Sequence, residues 1–282
     1  MIKMKLREKI KKIEFAKFLG GFVSEGNLVE DGTVKITNSN LEFLYDLIEC
    51  AKNIFGDDIV TNKPPTLEHK IDKSKFAYHK YFSRNLGKFL MNYVGIKPGK
   101  RILNDDSLPI FIFNWSSNKK EEEIFKAWVK NYLQARFSGD GWVHLEKKWI
   151  GITKVRALKL NSKLKKELLS LYSKDKEVKD YPKIFIERLK KIARKKNNLP
   201  KEFKQIIKIL IEFFGIESRI GFVGIRSIYF DNKRKKIIVS GSYHFIISKR
   251  ENIKKFKEEI NFLELDKSNR KRLDFILENN GI

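Results

Sequence analysis

Cysteine occurs once in this chain of 282 residues, at Cys50. A lone thiol excludes a disulfide scaffold and any zinc centre built on several cysteines. Glutamine appears only twice, while isoleucine and lysine abound, the composition of a lysine-rich proteome. No apolar stretch exceeds the one around Leu108–Trp115, far short of the roughly 20 residues of a membrane span. The N-terminus MIKMKLREKIKK has no apolar signal-peptide core, so a soluble, cytoplasmic protein is expected. Neither GxxxxGK[ST] nor GxGxxG is present, and nucleotide hydrolysis and dinucleotide chemistry lose their support. Acidic side chains are outnumbered, 35 against 60 Lys and Arg, for a formal charge of +25. Such a surface attracts a polyanion, nucleic acid first. Hydrophobic residues make up 41% and phenylalanine alone counts 22, enough to fill a core and to exclude a disordered tail.

The chain reads as a duplication, because three matched pairs recur in the same order. FLGGFVSEG (Phe18–Gly26) matches LQARFSGDG (Leu133–Gly141), each closing an amphipathic helix with an acid and a glycine. ITNSNL (Ile36–Leu41) matches KLNSKL (Lys159–Leu164), an Asn-Ser-x-Leu between a strand-like run and a helical pattern. YHKYFSRNLGKF (Tyr78–Phe89) matches YHFIISKRENIKKF (Tyr243–Phe256). Any one pair is weak; three in register are not.

Within each half the pattern is α-β-β-α-β-β-α. Residues 3–24 have helical apolar spacing, 27–38 a hairpin with Asp31-Gly32 at its turn, and Leu41–Phe55 a second helix closed by Gly56. Two strands follow within Ile59–Ser83, then a short helix over Asn85–Tyr93. The polar run 116–119 marks the join, so the expected halves are residues 1–115 and 120–282. The second half carries an extra lysine-rich segment at about 173–201, bracketed by Pro182 and Pro200 and predicted helical.

Glu25 and Asp140 stand at matched positions, each ending a helix before glycine. A carboxylate there faces the negative end of the helix dipole, and a divalent cation is the natural compensation. Gly20, Gly21 and Ala135 are small enough for two helix backbones to approach. If the duplicated helices pack side by side, both acids reach the same end of the interface and form a site for hard cations. Paired metal ions about 3.5–4 Å apart clamp the attacking and leaving oxygens of a phosphodiester displacement. For one acid, merely ending a helix is the simpler reading; for two matched acids in so basic a chain, it is not.

The two helix-end segments resemble the signature helices of the double-motif LAGLIDADG homing endonuclease family. Gly95–Phe113, and the C-terminal stretch from FGIESRI through SYHFIISKRENIKKFKEEINF, resemble further parts of the family, leaving only the 173–201 segment uncovered. The resemblance implies a mixed α/β (α+β) fold of two αββαββα repeats, whose sheets form a saddle on double-stranded DNA with the signature helices central. It implies a monomer that cleaves both strands of a long, asymmetric site with Mg²⁺, for which Mn²⁺ can substitute. By the same resemblance Glu25 and Asp140 take metal-ligand positions, joined by the carbonyls of Ser24 and Gly139. Asn38 and Asn161 fall where the family often has a water-organising polar residue. The chain departs from the pattern by placing Ser39 and Ser162 where a lysine is frequent, which leaves Lys163 as the nearest candidate. Arg136 also puts a charge inside the second signature helix. With Met first and Asn-Asn-Gly-Ile last, a free-standing enzyme is expected rather than an intein.

Lys35, Lys80, Lys154 and Arg156 lie in strand-like runs and are candidates for reading base edges. Arg84 and Lys249–Arg250 are candidates for phosphate contacts. The matched His79 and His244 suit a shared structural role, and His144 lies close after Gly141. Two rivals to a nuclease share the fold: a DNA-binding regulator or inactive remnant, and a maturase bound to intron RNA.

Overall fold

In a computed structural model of the chain, residues 8–69, 76–99, 108 and 121–278 are described. The expected join at 116–119 lies outside them. The first half runs α1 (Ile13–Glu25), β1 (Gly26–Leu28), β2 (Val34–Asn38), α2 (Leu41–Phe55), β3 (Thr66–His69), β4 (Phe76–Phe82) and α3 (Arg84–Phe89). The second runs α4 (Glu122–Asp140), β5 (Gly141–His144), β6 (Trp149–Ala157), α5 (Ser162–Leu171), α6 (Lys183–Ala193), α7 (Lys201–Phe214), β7 (Arg219–Asp231), β8 (Lys236–Ile247), α8 (Arg250–Glu259) and α9 (Lys267–Glu278).

The duplication is visible in the sheets. Both are four-stranded and antiparallel, in the orders β1-β2-β4-β3 and β5-β6-β8-β7. Gly26 pairs with Ile36 as Gly141 pairs with Ile152, and Thr37 pairs with His79 as Thr153 pairs with His244. The fold is therefore mixed α/β, two αββαββα repeats with additions in the second. Each repeat rests on local chemistry. Asn40 caps α2 by accepting the Phe43 N–H, and Gly56 at φ +95° ends it. Glu122 and Glu123 occupy the first turn of α4, where the helix dipole favours acids.

The second-half counterpart of α2 is α7. Both end in Phe-Gly with the glycine at positive φ, at Gly56 and Gly215. α7 lies against α4, with Phe125 and Phe213 ring centroids 4.9 Å apart, as α2 lies against α1. The added material is thus α5 and α6, and it begins before residue 173, the boundary expected from composition. The helical stretch foreseen there is α6, preceded by a short 3-10 turn at Val178–Asp180.

The core centres on α1 and α4, which run parallel. Lys11 pairs with Glu121 near their starts at 2.6 Å, and Trp128 Nε1 donates to Ile10 O at 2.8 Å. Phe15, Phe18, Leu19 and Phe22 of α1, with Phe125, Trp128, Tyr132 and Phe137 of α4, are essentially inaccessible. Each such side chain contributes roughly 1.5–3 kcal/mol. The helices touch at small residues. A Cβ on Gly20 would lie 2.2 Å from the Tyr132 carbonyl oxygen, and one on Gly139 would lie 2.4 Å from Ser24 Cβ. These glycines are required by close approach, their backbone being ordinary helix.

Gly20→Ala and Gly139→Ala are accordingly expected to destabilise the fold by about 1–3 kcal/mol each. Gly224→Ala, where an added Cβ meets nothing within 4 Å, should stay within about 0.5 kcal/mol. Urea unfolding of the three variants checks the contrast.

Candidate active site at the ends of the paired helices

Because α1 and α4 are parallel and pressed together, Glu25 and Asp140 end at the same point. The Cβ position at Gly139 lies 3.5 Å from Glu25 Cγ, and Asp140 is the next residue. Asp140 keeps about a third of its side chain exposed, and Glu25 is half-buried. Two helix C-termini also meet here, each with carbonyls beyond its own ladder. Among the described residues no three His, Cys, Asp or Glu gather into a metal-binding group. A cation here would rest on two carboxylates and helix-end carbonyls, those of Ser24 and Gly139 included. That all-oxygen set fits hard divalent ions.

Ser24 links the helices. Its buried hydroxyl lies 3.0 Å from the Gly20 carbonyl of its own helix and 3.1 Å from the Arg136 carbonyl across the interface. Arg136 explains itself in three dimensions. Its guanidinium, 2% exposed, donates from Nη1 to Asp140 Oδ2 at 2.6 Å and from Nε to Glu202 Oε1 at 2.8 Å. Lys154 Nζ donates to the other Glu202 oxygen at 2.6 Å. Burial alone would push the Glu202 carboxyl up; the charges of Arg136 and Lys154 override it and hold the pKa down to about 2. Burial disfavours the Arg136 charge, and Glu202 and Asp140 more than restore it. A buried charge is tolerated only when paired and hydrogen-bonded in this way.

The structure sorts the other candidates by strand register. Asn38 sits two positions beyond Ile36, the partner of Gly26, and so lies near Glu25's end of the sheet. Its Oδ1 accepts the Asn40 N–H at 2.7 Å. By register its counterpart in the second half is Lys154, since Asn38 pairs with Tyr78 and Lys154 with Tyr243. Asn161 instead matches Asn40: it caps α5 by accepting the Leu164 N–H at 2.9 Å. β6 continues past Ile152 to Ala157, roughly 16 Å at strand rise, and so carries Asn161 and the exposed Lys163 away from Asp140. The spacing match therefore joined residues that share capping chemistry and differ in place.

Three of the five expected DNA contacts turn toward the helix side of their sheets, which corrects the strand reading. Lys80 is 5% exposed and donates to the carbonyls of Thr61 and Lys63. Arg156 is 3% exposed and donates to Leu199 O at 2.9 Å. Lys154 shares their face, in phase with the buried Ile150 and Ile152 on β6. Lys35 lies on the opposite face with Thr37, His79 and Tyr81, its ammonium 5.6 Å from the Tyr81 ring centre. Arg84 is largely exposed beside Asp31, at 3.1 Å.

The equivalent face of the second sheet carries residues the sequence did not single out. Trp142 lies over Gly151 and donates from Nε1 to Thr153 Oγ1 at 3.1 Å. Trp149 has Lys147 and Arg219 over its ring, at 5.1 and 5.2 Å. The available signal was the tryptophans' position on either side of the Glu146-Lys147-Lys148 turn. His244 packs against Trp142 at 5.0 Å, with burial pushing its pKa down and Lys147 adding to it. His144 Nδ1 accepts the Lys147 N–H at 3.3 Å, at the hairpin's far end rather than in the cleft.

Comparison with known proteins gives one kind of match. The chain is similar to solved structures of I-DmoI, a homing endonuclease. A complex of I-DmoI with DNA and Mn has 12% identity and a TM-score of 0.39, over 89% of this chain and 97% of that one. Mesophilic variants of the homing endonuclease have 13% identity and a TM-score of 0.40, over 91% and 93%. A complex with DNA and Ca has 13% identity and a TM-score of 0.37, over 91% and 93%. No family model and no curated protein matches. Among the described residues no helix is long and apolar enough to cross a membrane.

The Glu202 cluster has a pH signature. A carboxyl held below its unfolded value contributes stability that is present above about pH 4.5 and lost as pH falls toward 2. The loss is of order 3 kcal/mol. Glu202→Gln should flatten stability over that interval, as followed by urea midpoints at successive pH values.

Proposed function

We propose that this chain is a LAGLIDADG-type homing endonuclease that cuts both strands of a long, asymmetric DNA site by divalent-metal-dependent hydrolysis. The observation that carries the reading is the convergence of Glu25 and Asp140, from duplicated helices, at one point of a chain with formal charge +25. The two halves, residues 1–115 and 120–282, would act as one monomer, each laying a sheet on the duplex.

Glu25 and Asp140, with the carbonyls of Ser24 and Gly139, would hold the metal, Mg²⁺ with Mn²⁺ as a substitute. Bound there, it supplies Lewis-acid neutralisation of the charge developing on the scissile phosphate. The chain's own residues bind and orient. Lys35 and Tyr81 on one sheet, and Arg219, Lys147 and Trp149 on the other, offer cations and flat surfaces to the duplex, and Arg84 offers a phosphate contact. Asn38 and Lys154 occupy matched positions on the strands leading from the two acids. Lys154 is tied to Glu202, so Asn38 is the better placed of the two to position water. Asn161 and Lys163, carried away along β6, serve the added helix instead.

A binding protein without cleavage is favoured by one specific observation, the Arg136–Asp140 ion pair, which occupies one of the two carboxylates. The test is selection of a randomised duplex pool for binding in Ca²⁺, followed by transfer to Mg²⁺. The reading predicts recurrent cuts at one sequence. Glu25→Gln and Asp140→Asn should each lower the cleavage rate by at least about a hundredfold, more than 2.7 kcal/mol of transition-state stabilisation, and leave binding intact. Enrichment without cutting would favour the regulator, and preference for structured intron RNA the maturase.

Salt dependence checks the electrostatic part separately. With 6–10 phosphate contacts, affinity for the selected duplex should fall roughly 10³–10⁵-fold between 50 and 200 mM salt, measured by filter binding.

A further inference from the structure

The material added to the second half encloses space of its own. β7 and β8 run for 13 and 12 residues, against 4 and 7 for β3 and β4. Their hairpin extends past the end of β6, since Ala157 pairs with Ser240 and β8 begins at Lys236. Against that extension, α5 and the end of β6 wall a cavity of about 600 Å³. Its buried lining is apolar, with Leu158, Leu168 and Val239. Leu169 and Phe230, both exposed, also line it. Around them stand Lys159, Lys165, Arg234, Lys235 and Lys236. A second cavity of about 210 Å³ shares Lys159 and Leu160 with the first, and adds Lys195 and the amides of Asn161, Asn197 and Asn198. Among the described residues, no Asp or Glu lines either cavity.

Lys165, Lys195, Lys235 and Lys236 have no acidic partner among the described residues. Of the acids adjoining them in sequence, Glu167 is paired with Arg188, and Asp231 accepts the Arg234 N–H at 3.0 Å. Like charges gathered around a cavity repel one another, and a bound anion relieves that repulsion. The segment shared by the two cavities is held in place by Asn198, which is wholly buried. Its Oδ1 accepts the Lys159 N–H at 2.7 Å, and its Nδ2 donates to the carbonyls of Lys159 and Ile192 at 3.3 and 3.1 Å. Asn161 Nδ2 and the Asn197 amide are without a partner among the described residues. Arg156, also in the lining, marks the side. It lies on the helix side of the second sheet, opposite the face that carries Trp142 and Trp149. A duplex laid on that face does not fill these cavities.

We propose that the two adjoining cavities bind single-stranded nucleic acid. Phe230 and the leucines take unpaired bases, the lysines and Arg234 take the phosphates, and Asn161 and Asn197 offer hydrogen bonds to base edges. The larger cavity has the size that encloses a small ligand; it accepts unpaired bases and is too small for a duplex. So many cations around an apolar lining suit a chain of phosphates better than a single carboxylate. The first half has no counterpart of α5 and α6 among the described residues. The site therefore belongs to the added helices and the long hairpin, and is separate from the one at Glu25 and Asp140.

The test is fluorescence anisotropy of labelled single-stranded oligonucleotides of mixed sequence, one DNA and one RNA, with the full-length chain and no divalent metal. Binding should be saturable, and its affinity should fall with salt at a log–log slope of about −0.7 per phosphate contact. Lys165 and Lys235 are exposed, so Lys165→Glu with Lys235→Glu keeps the fold; it should weaken single-strand binding at least about tenfold, and Phe230→Ala, which changes no charge, at least about fivefold. Both should leave duplex affinity within about twofold, exposed charges being screened over distance. Lys208→Glu with Lys254→Glu makes the same change of net charge outside the cavities and should cost single-strand binding less than about twofold. Absence of single-strand binding, or equal weakening by this control pair, overturns the proposal and leaves the endonuclease reading standing. Joint loss of duplex and single-strand affinity also overturns it, by making the cavities part of the duplex surface. The tighter of the DNA and RNA strands names the source of the bound strand.

Discussion

The close parallel contact of α1 and α4 is the constraint on which the rest depends. Each helix alone ends in an acid against its own dipole; together they bring two acids and two sets of terminal carbonyls to one point. The contact is possible because Gly20 meets the Tyr132 backbone and Gly139 meets Ser24. Large apolar side chains fill the flanks, from Phe15 to Phe22 and from Phe125 to Phe137. Packing thus sets how close the two carboxylates stand. β1 and β5 begin directly after the two acids, so each sheet is rooted at the same end of the helix pair.

Onto this near-symmetric frame the second half adds charge. Arg136, Glu202 and Lys154 lie close to the site, are almost wholly buried, and satisfy one another. Such a cluster is costly unless complete, so its members act as a unit: remove Arg136 and Glu202 keeps only Lys154. α7 supplies Glu202 from the helix that follows the inserted α5 and α6. The insertion is therefore tied to the site through the first turn of that helix.

Much of the fold was legible in the sequence because its determinants are local. The acid-glycine helix ends, the Gly56 stop and the Asp31-Gly32 turn are each decided within a few residues. The duplicated Tyr-His segments both form strands, and their histidines pair alike with Thr37 and Thr153. Other features were not legible, for identifiable reasons. Asn-Ser-x-Leu recurs because helices start alike, so it matched α2 with the added α5; the Phe-Gly ends of α2 and α7 carried the true correspondence. Lys80, Lys154 and Arg156 read as outward cations. Their long side chains instead reach main-chain carbonyls or Glu202 from the helix side of the sheet, and alternation alone does not assign a face. Of the two partners of Arg136, Asp140 stands four residues on along the same helix, while Glu202 is distant in sequence and arrives only through the fold.

The central claim is that Glu25 and Asp140 together make a divalent-cation site. Calorimetric titration of Mn²⁺ into the intact chain, and into Glu25→Gln combined with Asp140→Asn, tests it most directly. The account predicts binding to the first and none to the second. Undiminished binding to the variant would place the ion elsewhere and contradict the site.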